Sequence, residues 1–306
     1  MLIYIGKRLL YSLATLLVII TVTFAIMHAI PGSVYTSDKS VSPAIEKNLM
    51  AKYGLDKPIL QQYLTTLGNI VKLDFGMSMK NEGRSVNDII STQFPRSAFL
   101  GMWAILLCLL IGVPLGITAA RHPNKWQDTL SMIIATIGVT VPGFVVATLA
   151  QYFIGVRLQW FPVIGFANMK YVVLPAIALS FFPLSFVARL VRSSMLETLE
   201  QDYIRTAKAK GLSIHVVIYK HALRNSLIPV VTYLGPLVAG VLTGSFVIER
   251  IFNIPGLGRY YVESISNRDY TTMMGVTIFF AAFLIMMNLL VDVLYVFIDP
   301  RIKLKS

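Results

Sequence analysis

Residues 97–120 read SAFLGMWAILLCLLIGVPLGITAA, a run of 24 residues without a charged side chain. An α-helix rises about 1.5 Å per residue and the hydrocarbon core of a bilayer is about 30 Å thick, so roughly twenty such residues cross it. Five more charge-free runs of at least eighteen residues follow the same pattern. They occupy residues 9–37, 129–156, 171–188, 225–248 and 270–291. These runs predict an all-α, multi-pass membrane protein.

The overall composition agrees with this fold class. The chain has 306 residues, of which 56% are hydrophobic and 14% charged, and its mean hydropathy is +0.69. Soluble domains carry about 25% charged residues, so a soluble body, a disordered chain and a coiled coil are excluded. The single cysteine, Cys108, excludes a disulfide scaffold. We place six spans at 9–30, 97–120, 131–155, 171–190, 228–249 and 273–297, the last of which must include Asp292.

The lysines and arginines predict which side each loop faces. They concentrate before the first span, in residues 121–125, in the loop of residues 191–229 and in the tail of residues 299–306. Short loops rich in Lys and Arg face the cytoplasm, so both termini are predicted to be cytoplasmic. This asymmetry explains the net charge of +12 without a nucleic-acid partner.

The longest segment between spans, residues 31–96, is predicted to be extracytoplasmic. Asp56 is a candidate N-cap, and Pro58 a candidate first-turn residue, of a helix in this segment. An apolar stripe then recurs at helical spacing, formed by Leu60, Tyr63, Leu64, Leu67 and Val71. Ser85 predicts a second helix start. We interpret both helices as amphipathic, lying on the membrane surface or against other helices; a packing lid and a docking surface remain open alternatives.

The loop of residues 191–229, the two-helix loop below, is predicted to contain two short helices. Leu196, Leu199, Tyr203 and Ala207 trace one face of the first, and Gly211 ends it in a left-handed conformation. Ser213 is a candidate cap for the second helix, whose apolar face holds Ile214, Val217, Ile218 and Ala222. The first apolar face has no companion within the loop, which favours docking into another protein. A DNA-binding motif and an anionic-lipid anchor are the alternatives.

Motifs for chemistry are missing from the sequence. There is no phosphate-binding loop of the ATPases, no zinc-protease helix, no nucleophile elbow and no Cys/His cluster. We therefore predict no catalytic residue, no bound cofactor and no metal site in this chain. Asp292 is the one clear candidate for an ionised group within a span, and a proton relay through it remains open. A membrane protein with a docking loop and no ATP-binding motif of its own requires energy from another subunit.

The two-helix loop also carries a resemblance. Residues 203–212 (YIRTAKAKGL), followed by HALRN at 221–225 and LIP at 227–229, resemble the EAA loop of ABC-importer permeases. The generic motif begins Glu-Ala-Ala, and Arg205, Thr206 and Ala207 at those places are typical of the peptide branch. Further segments similar to that branch are PG at 31–32, YGLDKP at 53–58, DFGMS at 74–78, IPGLG at 254–258, NRDY at 267–270 and VDVLY at 291–295. SVNDII at 85–90 most resembles the oligopeptide-permease B subunit.

The resemblance implies a six-span type I importer permease of the bacterial cell membrane, with a cytoplasmic helix-turn-helix coupling loop. Its implied partners are a homologous C-type permease, two ABC ATPases that bind ATP and Mg, an extracytoplasmic peptide-binding protein, the peptide substrate and membrane lipids. The residues implied to contact an ATPase are Tyr203, Arg205, Thr206, Ala207, Lys210, Gly211, Leu212 and Ser213. The chain would then form half of a pathway that moves oligopeptides into the cytoplasm.

The predicted division of the chain follows from the spans. Residues 1–30 hold the cytoplasmic N-terminus and first span, 31–96 the extracytoplasmic segment, 97–298 the five-helix permease core and 299–306 the cytoplasmic tail. Dipeptides, glutathione and nickel or metallophore complexes are alternative substrates within the same family. A self-sufficient secondary transporter or channel is the alternative class, and a membrane enzyme is disfavoured by the missing motifs.

Overall fold

The structure is a computed structural model that describes residues 2–29, 43–81 and 83–298. Helices account for most of these residues, and their one β-type pairing is an isolated bridge between Met77 and Ser85. The predicted all-α class is confirmed. The predicted tail at 299–306 and residues 30–42 of the extracytoplasmic segment lie outside the described residues, as does the side chain of Asp292.

The helices are numbered here in chain order. The first seven are α1 (Leu2–Ala29), α2 (Pro43–Tyr53), α3 (Ile59–Val71), α4 (Val86–Arg121), α5 (Trp126–Thr140), α6 (Gly143–Ala150) and α7 (Lys170–Leu199). The remainder are α8 (Asp202–Ala209), α9 (Ile214–Val216), α10 (Leu223–Ser226), α11 (Ile228–Leu242), α12 (Phe246–Ile251), α13 (Leu257–Ser266) and α14 (Tyr270–Ile298). A π-helical segment, Gln151–Arg157, continues α6, and another, Val217–Ala222, joins α9 to α10.

Within the residues that the structure describes, five helical stretches are long and apolar enough to cross a membrane. They are Gly6–Ala29, Val86–Arg121, Lys170–Leu199, Ile228–Ile251 and Tyr270–Val291. A sixth crossing requires the pair Trp126–Thr140 and Gly143–Arg157, whose axes meet at 103°. The predicted third span at 131–155 therefore consists of two helices that meet at a bend.

Proline chemistry explains the break in this third span. Pro142 lacks a backbone N–H, and its ring disfavours the helical conformation in the residue before it. Val141 accordingly adopts an extended conformation, with φ −84° and ψ 121°. The helix restarts at Gly143 in a new direction, so α5 and α6 form a bent pair.

Two sequence predictions for the extracytoplasmic segment are wrong. Helix α3 begins at Ile59 with Pro58 at the N-cap position, so Asp56 does not cap it. The helix predicted after Ser85 is no separate surface helix, because α4 runs unbroken from Val86 to Arg121. Ser85 does cap that helix, since its Oγ accepts a hydrogen bond of 3.0 Å from the Asp88 amide.

The described chain divides into two compact units. One contains the residues up to Arg96 and Pro255–Met286, and its apolar clusters centre on Phe24 and Ile89. The other contains Ser97–Ile254 and the helical residues from Met287 onward, and it holds two larger clusters. One of these clusters includes α7 and the two-helix loop, and it positions the candidate site.

Candidate coupling site

The first part of the two-helix loop is a helix separate from α7. Helix α7 ends at Leu199, and Gln201 is extended, with φ −68° and ψ 148°, at the N-cap position of α8. The predicted single helical face from Leu196 to Ala207 is therefore wrong. Asp202 lies in the first turn of α8, where a carboxylate interacts favourably with the helix dipole.

Gly211 closes α8 as the sequence predicts. Its φ is +75°, in the left-handed region that favours glycine. The Gly211 amide donates to the Lys208 carbonyl at 3.0 Å, and the Leu212 amide donates to the Ala207 carbonyl at 3.4 Å. This pair of bonds is a Schellman motif, which satisfies carbonyls at the helix end. A Cβ at Gly211 would meet no heavy atom within 4 Å, so only the backbone conformation demands glycine here.

The second helix of the loop begins after Ser213. Ser213 occupies the N-cap position of α9, but its side chain makes no capping hydrogen bond. Val217, Ile218 and Ala222 are buried, as predicted for the apolar face. Ile214, assigned to the same face, is exposed instead.

The two helices of the loop pack against each other and against α7. Ile204 and Ala207 of α8 are buried in one cluster with Val217 and Ile218 of the second helix and Met195 of α7. The prediction that the first apolar face lacks a companion within the loop is therefore wrong. Ala207, one of the eight predicted contact residues, is therefore buried within the loop. The loop is instead fixed to the end of α7 by a shared core.

A different face of the loop is exposed. Seven of the eight sequence-predicted contact residues lie on the surface: Tyr203, Arg205, Thr206, Lys210, Gly211, Leu212 and Ser213. The Tyr203 hydroxyl accepts a 2.7 Å hydrogen bond from Asn225 Nδ2, which ties α8 to α10. The exposed apolar residues Ile214, Val216 and Tyr219 belong to the same loop and were not predicted as site residues. Their apolar character was visible in the sequence, but regular helical spacing gave no reason to place them outward.

An ion pair fixes α5 to α7 near the C-terminal end of α7. Arg192 Nε donates to Asp128 Oδ1 at 2.6 Å, and Arg192 Nη2 donates to Asp128 Oδ2 at 2.7 Å. The Asp128 side chain is 5% exposed and that of Arg192 27% exposed. The backbone amide of Asn124, a residue with φ +60°, also donates to Asp128 Oδ2 at 2.9 Å. Bidentate Arg–carboxylate pairs fix the relative orientation of the two side chains as well as the distance between them.

Close helix packing reinforces the same junction. A Cβ added at Gly138 of α5 would overlap the Ser185 side chain of α7. Helices in membranes approach closely at such small residues. Among the described residues, no group of three His, Cys, Asp or Glu side chains is arranged to hold a metal ion.

Two family models match this chain. The family model "Binding-protein-dependent transport system inner membrane component" matches residues 112–304, and the model for the N-terminal part of such membrane components matches residues 1–101. The chain belongs to this family. Membership of a family of inner membrane components accounts for the long apolar helices. The predicted resemblance to importer permeases is confirmed.

The relatives of this inner membrane component are similar over almost their entire length. A dipeptide transport system permease protein of Bacillus subtilis (strain 168) is 49% identical over 98% of both chains. An oligopeptide transport system permease protein of Haemophilus influenzae is 42% identical, covering 99% of this chain and all of its own. A dipeptide transport system permease protein of Lactococcus lactis is also 42% identical, over 98% of this chain and 99% of its own.

A solved structure supports the fold. The crystal structure of an amino acid ABC transporter with histidines superposes with a TM-score of 0.52, covering 71% of this chain and 95% of that one. The sequence identity is 15%, so the similarity concerns the fold alone.

Proposed function

We propose that this chain is a permease subunit of an ATP-driven ABC importer that moves peptides into the cytoplasm. The observation that carries the proposal is the match, at 42–49% identity over 98–99% of the chain, to proteins named as peptide permeases. The chain forms half of the translocation pathway. A homologous C-type permease forms the other half, and an extracytoplasmic binding protein delivers the peptide.

Energy enters through the two-helix loop. The sequence lacks an ATP-binding motif, so a pair of partner ATPase subunits binds ATP and Mg. The contact surface is the exposed face of the loop, with Tyr203, Leu212 and Ile214 as its apolar residues and Arg205 and Lys210 as its cations. Gly211 sets the angle between the two helices, and the buried Ala207 stabilises the loop from within.

The shared core transmits movement from the ATPase to the membrane. The loop packs on the last turns of α7, and Asp128 joins α7 to α5 through Arg192. A displacement of the loop therefore moves α7 and α5 with it. The concentration of basic residues supports a cytoplasmic position for this loop and both termini.

The substrate class is peptides. A preference for oligopeptides over dipeptides is a prediction based on SVNDII at 85–90. The similar relatives include both oligopeptide and dipeptide permeases. Glutathione and nickel complexes are the alternatives within the family.

Transport in cells tests the proposal. A strain lacking this gene, with its partner subunits intact, should lose uptake of labelled peptides and regain it when the gene is restored. Competition with unlabelled dipeptides, pentapeptides, glutathione and a nickel chelate then ranks the substrates. Normal peptide uptake in the strain lacking the gene contradicts the proposal, and competition by nickel alone would reassign the substrate.

A further inference from the structure

Helix α3 lies directly against α1. The Tyr63 hydroxyl is 2.7 Å from Thr21 Oγ1, and Gln62 Oε1 is 3.0 Å from His28 Nε2. The Tyr63 ring also meets the Phe24 ring edge-on, with 5.3 Å between their centroids. Three contacts along two turns of α1 fix α3 beside the end of this apolar helix.

These contacts place the first turns of α3 alongside the C-terminal turns of the first span. Thr21 precedes Ala29 by eight residues, which corresponds to about 12 Å along the helix axis. The apolar stretch Gly6–Ala29 is about 36 Å long at 1.5 Å per residue, against a hydrocarbon core of about 30 Å. With this stretch centred on the hydrocarbon core, the Tyr63 hydroxyl, bonded to Thr21, lies at a level inside the hydrocarbon region.

The apolar sector of α3 is only half covered. Tyr63, Leu67 and Ile70 pack on the cluster around Phe24. Next to them on the helix, Leu60, Leu64 and Val71 are 69%, 58% and 84% exposed. At 100° per residue these three side chains fall within about 40° of one another, and we call them the outer face of α3.

The surroundings of the outer face favour lipid as its contact. No charged residue occurs between Lys57 and Lys72, whereas a water-facing helix normally carries charges. The adjoining helix α1 has its own exposed apolar residues, Val18, Val22 and Ile26, in a family of inner membrane components. Helix α1, which α3 contacts, therefore also exposes apolar side chains that lipid can cover.

We propose that the outer face of α3 is embedded in the hydrocarbon of one bilayer leaflet. The helix has 13 residues, about 20 Å, which is too short to cross the membrane. A helix satisfies its own backbone hydrogen bonds in lipid, and Lys57 and Lys72 lie at its two ends, where long cationic side chains extend to the lipid headgroups. This chain therefore carries a lipid-embedded helix in addition to its spans.

Spin labelling of the complete transporter in lipid nanodiscs tests the proposal. Single cysteines are introduced as Leu64→Cys and, in a second variant, Leu60→Cys, both with Cys108→Ala, and are labelled with a nitroxide. Relaxation by oxygen, which concentrates in lipid, is compared with relaxation by a water-soluble nickel chelate. Val18→Cys on α1 is the lipid control, and Asp56→Cys, exposed just before α3, is the water control.

Both α3 labels should match the lipid control, with strong relaxation by oxygen and weak relaxation by the chelate. Labels that match the Asp56 control would overturn the proposal. Exclusion of both reagents, or protection from the chelate only after the binding protein is added, would also overturn it and assign the face to a protein partner. The readout does not use transport, so its result is separate from that of the uptake experiment.

Discussion

The Arg192 guanidinium donates hydrogen bonds to both carboxylate oxygens of Asp128, with N–O distances of 2.6 and 2.7 Å, although the two residues are 64 positions apart in the sequence. The pair joins the first turn of α5 to α7, seven residues before α7 ends at Leu199. In the proposed coupling, this pair carries movement of α7 to α5.

Loss of this pair should destabilise the protein. Asp128→Asn keeps the shape of the side chain but removes the charge, and hydrogen bonds to charged groups contribute about 1.5–3 kcal/mol. With Arg192 partly exposed, we expect a loss of roughly 2 kcal/mol, measured as a lower Tm of the purified chain in detergent. Arg192→Lys keeps the charge but not the two-pronged geometry and should be intermediate.

The control for this prediction is a second ion pair. Asp202 and Arg205 lie 3.6 Å apart on the surface of α8, with both side chains highly exposed. Exposed pairs contribute little, so Arg205→Gln, which removes the pair and keeps the Asp202 carboxylate at the start of α8, should leave Tm unchanged. An unchanged Tm for Asp128→Asn as well would mean that the buried pair does not hold α5 to α7.

Gly211→Val should uncouple the loop. A β-branched residue at φ +75° is strained by about 1–2 kcal/mol, and the chain relieves this by reorienting α8. Membrane levels should stay near normal while peptide uptake is lost and the ATPase no longer co-purifies. Gly211→Ala should be milder, because alanine lacks the β-branch.

Gly83 supplies a matched control for that substitution. Its φ is also +75° and a Cβ there would meet nothing within 4 Å, but it belongs to the segment before α4. Gly83→Val imposes the same kind of strain and should leave ATPase co-purification intact. Equal loss with both variants would reduce the Gly211 effect to general destabilisation, and full uptake with Gly211→Val would exclude this glycine from transmission.

Tyr203 is expected to act through its ring, with Asn225 holding it in place. Tyr203→Phe and Asn225→Ala each remove the 2.7 Å hydrogen bond, contributing about 1 kcal/mol, so ATPase binding should weaken about fivefold in both. Tyr203→Ala removes the contact surface as well and should weaken binding further. Binding is measured between the detergent-purified permease pair and its ATPases. If all three variants bound the ATPases as tightly as the unaltered protein does, the contact would lie elsewhere.

Labelling in intact cells tests the orientation. In a Cys108→Ala background, Asp56→Cys should react with a membrane-impermeant thiol reagent, and Lys208→Cys should react only after the cells are opened. Both positions are exposed, so access is set by the side of the membrane. The reverse pattern would move the two-helix loop to the outside and remove the basis for ATPase contact.

Features that depend on local chemistry could be predicted from the sequence. The left-handed Gly211 follows from a helix, a glycine and a new start within a few residues, and the Ser85 cap follows from its position before an apolar run. The long spans follow in the same way from charge-free runs. Each of these is decided by neighbours in the chain.

Features that depend on tertiary packing could not be predicted in this way. Nothing near Ala207 indicates that α7 stops at Leu199, and without that break the burial of Ala207 against Val217 cannot be foreseen. Asp128 and Arg192 lie on different helices, so periodicity does not pair them. Pro142 accounts for a break between α5 and α6, but local sequence does not give the angle of 103° between them.

The most direct test of ATP-driven peptide import is uptake into proteoliposomes made from purified components. The complete set contains this chain, the C-type permease, both ATPases and the binding protein, with ATP supplied to the ATPase side. We predict that labelled peptide accumulates only with the complete set and ATP, and that omitting this chain abolishes both uptake and peptide-stimulated ATP hydrolysis. Peptide uptake by this chain alone, without ATP or partners, would contradict the account and identify a self-sufficient carrier.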